Sequence, residues 1–252
     1  MGDVFVTGSI KGAVCRLLSK AGFNGEGTST SVRLGTYGEQ VTQVLSSKQY
    51  GLAEEGSLFV ATTPTPGTGV ALGVATATAI IATAPSLLIY NNDSVGGKNI
   101  IMDSIKLVTT AAGTAGTRLD MATYIDSKVL FTSGGTAATP LNANMGVANT
   151  SIAKVYDASA AILSPAVSSA VRIVGRSVLR MTIPVVGDQT VIDFGGVTAG
   201  GQGILNGSAP LNILVSHAPV VLAPGHSMMV FLWSGSQSAA PTYEYVITWI
   251  ER

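Results

Sequence analysis

The chain has 252 residues with 14 Lys plus Arg, 14 Asp plus Glu and a formal net charge of zero; only 11% of it is charged, against about 25% in an ordinary soluble domain. With 46% hydrophobic residues and 30 glycines it can build a core but is short of solvating groups, which excludes charge-driven disorder. Zero net charge gives no surplus of Lys and Arg for displacing counterions from phosphates or anionic lipids, so neither nucleic acid nor a membrane surface is an expected partner.

Residues 1–66 read as an N-terminal arm with little core of its own. Lys11–Lys20 is compatible with a short helix that puts Val14, Leu17 and Leu18 on one face. Gly38–Ser47 fits a strand or a second short helix. The run Thr62-Thr-Pro-Thr-Pro-Gly-Thr-Gly69 excludes regular structure, because its prolines remove donors and fix φ. No basic leader with an apolar run opens the sequence, so no secretory signal is expected. A single cysteine, Cys15, rules out an intrachain disulfide and a zinc ribbon. The apolar run Val70–Ala84 is interrupted by threonines and Gly73 and closed by Pro85, which fits a buried strand or a tightly packed arm better than a membrane helix.

From residue 67 to 252, short β-prone runs alternate with Gly, Ser, Thr, Asn and Pro clusters. This spacing predicts strands at Val70–Thr83, Ser86–Asn91, Asn99–Thr110, Arg118–Ile125, Lys128–Thr132 and Ser151–Tyr156. Further strands are predicted at Ala170–Ile183, Gln189–Phe194, Leu211–His217, His226–Trp233 and Tyr243–Glu251. In the last, Tyr243, Tyr245, Ile247 and Trp249 alternate with Glu244, Val246, Thr248 and Ile250, giving one strongly apolar face. In its predecessor Met229, Phe231 and Trp233 alternate with Met228, Val230 and Leu232, so both faces are expected to be covered. The short polar connection Ser234–Pro241 suggests that these two strands form a hairpin. The fold class is all-β: a jelly-roll-like antiparallel sandwich preceded by an extended N-terminal arm.

Few residues suggest chemistry. The two histidines, His217 and His226, lack the His-x-His pair, carboxylate and third imidazole of a cupin metal site. There is no Gly-x-Ser-x-Gly elbow, and neither Gly96-Gly-Lys-Asn99 nor the Gly195–Gly203 loop makes a phosphate loop. Asp120 with Asp126, or Asp188 with Asp193, are the carboxylate pairs a glycosidase would need, though turn and strand-end aspartates explain them as well. Asn91-Asn-Asp-Ser94 offers oxygen ligands for calcium without a regular loop spacing. No catalytic residue, cofactor or metal is assigned, and no enzymatic activity is expected. Arg172, Arg176 and Arg180 recur every fourth residue, which on a regular strand puts three guanidiniums on one face. Such a row can pair with carboxylates across a subunit interface, or lie on a solvated or intramolecularly paired face.

Three stretches resemble tailed-bacteriophage virion structural proteins. Lys48–Gly69 resembles the arm segment preceding a β domain in such proteins. Val221–Trp233 and Tyr243–Arg252 are similar to the last two strands of jelly-roll head-decoration or cement proteins. The resemblance covers about a fifth of the chain and implies an architecture, not a residue-level site. It implies a non-enzymatic, commonly trimeric protein located in the virion, which contacts the major capsid protein or other virion proteins and decorates or cements the shell. The alternative is a receptor- or carbohydrate-binding module of a virion fibre or spike.

Overall fold

The computed structural model describes residues 48–71, 80–113, 119–164, 171–180, 183–195, 210, 212–233 and 241–252, all within the unit Lys48–Arg252. Helix α1 (Lys48–Glu54) is followed by β1 (Leu58–Thr62), β2 (Leu87–Asn91), β3 (Ile100–Ala111), β4 (Leu119–Asp126), β5 (Ser133–Ala138), β6 (Leu141–Asn142) and β7 (Ala153–Leu163). Then come β8 (Arg172–Arg180), β9 (Gln189–Phe194), β10 (Asn212–His217), β11 (Val221–Leu222), β12 (Ser227–Trp233) and β13 (Thr242–Glu251). The expected elements at Lys11–Lys20 and Gly38–Ser47, Cys15 and the greater part of the Val70–Thr83 strand lie outside the described residues. No helix among the described residues is long and apolar enough to cross a membrane.

The strands form two sheets, ordered β10-β9-β3-β13-β1-β6, with β11 also on β3, and β5-β7-β2-β12-β4-β8. All pairs are antiparallel except β9 with β10. Taken in chain order, β1, β2, β3, β4, β8, β9, β12 and β13 make a four-strand block in each sheet, β1-β13-β3-β9 and β2-β12-β4-β8. Crossing back and forth between two such blocks is the jelly-roll arrangement, so the expected all-β, jelly-roll-like sandwich is the fold observed. Period-two alternation explains the core. Tyr243, Tyr245, Ile247 and Trp249 of β13 point inward with Phe59, Ile105, Leu107 and Ile192 against Leu87, Ile89, Met121, Val155, Met228 and Val230 of the other sheet. Each such side chain contributes about 1.5–3 kcal/mol by leaving water.

Three expectations change. β12 and β13 do not form a hairpin: β12 pairs with β2 and β4, and β13 with β1 and β3, in opposite sheets. Each already has two hydrogen-bonded neighbours, so a polar connection between two strands does not make them partners. The expected boundary at residue 66 falls inside the β unit, because β1 lies between β13 and β6 with Phe59 and Ala61 buried. Leu52 of α1 is buried as well. Lys128–Thr132 is a loop, and the strand forms at Ser133–Ala138 instead. That segment is a poor strand former, but it pairs along β7 from Val155 to Leu163 with a register shift at Gly134–Thr136. Gly135 has φ of +70°, and a Cβ there would lie 2.9 Å from the Ile162 side chain, so glycine is required at the shift.

The C-terminal end is tied by a buried carboxylate. Glu251 accepts hydrogen bonds from Ser151 Oγ at 2.5 Å, the Ile152 backbone N–H at 3.2 Å and Trp249 Nε1 at 2.9 Å. These donors offset the cost of removing an acidic group from water.

Candidate functional site

The expected arginine row does not share one face. Against β4 the register of β8 shifts twice, between Leu119 and Asp120 and between Thr123 and Tyr124. Each shift inserts one residue into β8 and reverses the side on which the next side chains emerge. Arg176, opposite Ala122, emerges on the outer face, with its guanidinium carbon 5.6 Å above the Trp233 ring and Nη2 3.8 Å from Asp120 Oδ1. Arg180, opposite Leu119, is buried and donates from Nη1 to Asp188 Oδ1 at 2.6 Å. Arg172 is exposed at the start of the strand, opposite Ile125. The three residues thus have three different environments.

What Arg176 joins is a second apolar layer on the outside of the β2-β12-β4-β8 block. β12 is buried on both faces, as its composition predicts: Met228, Val230 and Leu232 face the main core, while Met229, Phe231 and Trp233 face outward with Leu88, Ala122, Leu130 and Ile162. Partly buried Tyr90, Tyr124, Phe131 and Tyr156 pack on this layer. The Phe131 and Tyr156 rings stack at 4.0 Å, Tyr90 lies 6.2 Å from Tyr156, and Tyr124 meets Phe231 edge-on at 5.3 Å. Such pairs contribute about 0.5–1.5 kcal/mol beyond burial. Burial first, and the adjacent Tyr156 hydroxyl second, hold the Tyr90 phenol above its ordinary pKa. The loop after β4 lays Leu130 and Phe131 onto the face; the Leu130 N–H donates to Ser227 Oγ at 3.2 Å, and that hydroxyl donates to the Lys128 carbonyl. Exposed Lys154 stands opposite Tyr90, exposed Lys128 lies on the loop, and Ile173, opposite Tyr124, is 62% exposed. Aromatic rings and cations therefore share one face.

The histidines stand apart. His217 on β10 crosses to the other sheet, where Nε2 lies 3.2 Å from Ser177 Oγ and the ring meets Phe194 edge-on at 6.0 Å. Burial pulls its pKa down, and Nδ1 has no hydrogen-bond partner among the described residues. Gly175 makes room for it: a Cβ there would lie 2.2 Å from the imidazole. His226 sits in a turn in which its N–H donates to the Ala223 carbonyl.

The paired carboxylates do not converge. Asp120 and Asp126 are six residues apart on β4, or ~20 Å at strand rise. Asp188 is held by Arg180 and the Val185 N–H, whereas Asp193 lies on β9 opposite Ser104, ~16 Å along the chain. Both separations exceed the ~5–9.5 Å of a glycosidase pair. In the Asn91–Ser94 loop Asp93 accepts from the Ser94 and Lys98 N–H groups, which lower its pKa, Lys98 the more strongly. Asn91 Nδ2 donates to the Lys98 and Leu222 carbonyls. The Asp93 carboxylate and the Asn91 amide oxygen thus accept from the loop's own backbone. Among the described residues no group of three or more His, Cys, Asp or Glu is placed to hold a metal ion. Of the Gly195–Gly203 loop, residues 196–203 lie outside the described residues.

Sequence reasoning identified the two-sided burial of β12 but missed the tyrosine layer. The signal was there in Tyr90, Tyr124 and Tyr156, each adjacent to an inward-facing aliphatic residue, namely Ile89, Ile125 and Val155. Compared with protein-family models, with curated proteins and with solved structures, the chain matches none.

Proposed function

We propose that the chain is a non-enzymatic structural protein of a bacteriophage virion, which oligomerises, as a trimer, and decorates or cements the capsid shell through contacts with the major capsid protein or other virion proteins. One observation carries this reading: the outer face of the β2-β12-β4-β8 block presents partly buried Tyr90, Tyr124, Phe131 and Tyr156 with Arg176 over Trp233 instead of a charged, solvated surface. Tyrosine, tryptophan and arginine are the residues that anchor protein interfaces. The jelly roll is a fold that viral capsid domains use, as lectins and cupins do. Low charge at zero net charge suits a subunit that works while packed against others.

The test is mass spectrometry of purified particles, followed by comparison of particles with and without the chain. Copies in stoichiometric amounts on the shell, and lower resistance to heat or low salt without them, are expected. Particles that lack the chain overturn the reading. The partly exposed aromatic cluster of Tyr90, Phe131 and Tyr156 also favours the second reading, a carbohydrate-binding fibre or spike module, since exposed aromatic rings are platforms for sugars. Glycan binding that Tyr156→Ala abolishes would select it.

A further inference from the structure

We propose that the two outer faces of the sandwich bind each other between copies of this chain, the aromatic and cationic face of one copy against the outer face of the β1-β13-β3-β9 block of the next. The inference rests on reading the chain as an assembling subunit and names the surface through which it assembles. The first face carries Lys128, Lys154 and Arg176 as its exposed charges, while its acids Asp120 and Asp126 are buried.

The opposite face has the complementary composition. Cross-strand register places Asp193 opposite Ser104, Ser104 opposite Thr248, and Glu244 opposite Val108 on the outside of this sheet. Asp103 joins them, accepting from Thr248 Oγ1 at 3.0 Å. Against these three acids stands Lys106, opposite Val246. Between the charges lie aliphatic side chains, among them Val246, which is 37% exposed, and Leu141 of the edge strand β6, 60% exposed, extends the apolar surface beyond β1. One face therefore offers rings and cations, the other aliphatic side chains and carboxylates. This charge complementarity makes a second copy the fitting occupant. Because the two patches lie on opposite sides of one molecule, the contact is heterologous and leaves each copy one face to offer, so it stacks copies in an open series and is separate from the contact that closes the proposed trimer.

The experiment is sedimentation velocity on the purified full chain over a range of concentrations and ionic strengths, comparing three variants. Lys128→Glu with Lys154→Glu, and separately Asp193→Lys with Glu244→Lys, are each expected to weaken association by about tenfold or more. A chain carrying all four changes is expected to recover it, because the attraction is reversed in sign on both faces. Raised salt should weaken the wild-type contact. Near-UV circular dichroism checks that the variants are folded; where a reversal unfolds the chain, Lys154→Ala with Lys128→Ala reads the same contact. A wild-type chain that stays monomeric at all concentrations overturns the proposal. So does unchanged assembly of the Asp193→Lys, Glu244→Lys chain, which would place aromatic face on aromatic face, or failure of the four-fold variant to recover. Assembly through these faces by a chain absent from virions would overturn the virion reading alone, and particles that carry it as isolated monomers would overturn this contact alone.

Discussion

The Tyr245 hydroxyl donates to Asp157 Oδ2 at 2.7 Å inside the core, joining β13 of one sheet to β7 of the other. Burial, and then Asp157, raise the phenol's pKa well above its ordinary value, which favours its protonated, donating form. Tyr245→Phe removes this bond to a buried acid and should lower stability by about 1.5–3 kcal/mol, measured by urea unfolding with an unchanged m-value. A variant as stable as the wild type would show that the bond contributes nothing net.

Trp249 is fully buried, stacks on Phe59 at 6.3 Å and donates to Glu251. Trp249→Ala leaves a cavity and one donor fewer for the carboxylate, with an expected loss of about 3–5 kcal/mol. A loss under about 0.5 kcal/mol, typical of surface sites, would contradict the inward placement.

His217 gives the fold a pH dependence. Its folded pKa lies below the ordinary ~6.5, so as pH falls through ~6.5 the unfolded chain takes up a proton that the native chain does not. Stability contributed by the neutral ring is therefore complete above that pH and declines below it until the folded pKa is reached. Thermal melts at falling pH should show a steeper decline for wild type than for His217→Gln; parallel curves would mean that the ring titrates alike in both states.

Gly175 and His217 form a coupled pair, because a methyl at residue 175 occupies the imidazole's position. Gly175→Ala alone should cost about 1–3 kcal/mol, and much less in a His217→Ala background. Additive costs in the double-mutant cycle would show that the strain lies in the backbone of β8.

Two arginines four residues apart should respond differently. Arg180→Ala leaves Asp188 buried without this partner and should cost about 3–5 kcal/mol. Arg176, exposed over Trp233, should cost about 1 kcal/mol or less when replaced by alanine, with its effect on assembly instead. Equal losses on chemical denaturation would restore the picture of a single-faced row.

Much of the fold was legible along the chain. Alternation in Tyr243–Glu251 and in Met228–Trp233 identified β13, with its inward face, and the doubly covered β12, because side-chain direction in a strand is a local property of period two. Partnership was not legible. That β12 and β13 lie in different sheets, and that Leu58–Thr62 completes the sheet beside β13, depends on hydrogen bonds between residues more than a hundred positions apart. The glycine- and alanine-rich β5 is a strand only because β7 offers it an edge. Four-residue spacing put Arg172, Arg176 and Arg180 on one face, as an unbroken strand would. Two register shifts against β4 scattered them, and a register shift is set by the pairing with the neighbouring strand. The sequence by itself determined the all-β class, the inward faces and the poverty of charge. Only the tertiary structure decided which faces became sheet exteriors, and so which rings, cations and acids came to share a surface, since that follows from the order in which distant strands pair.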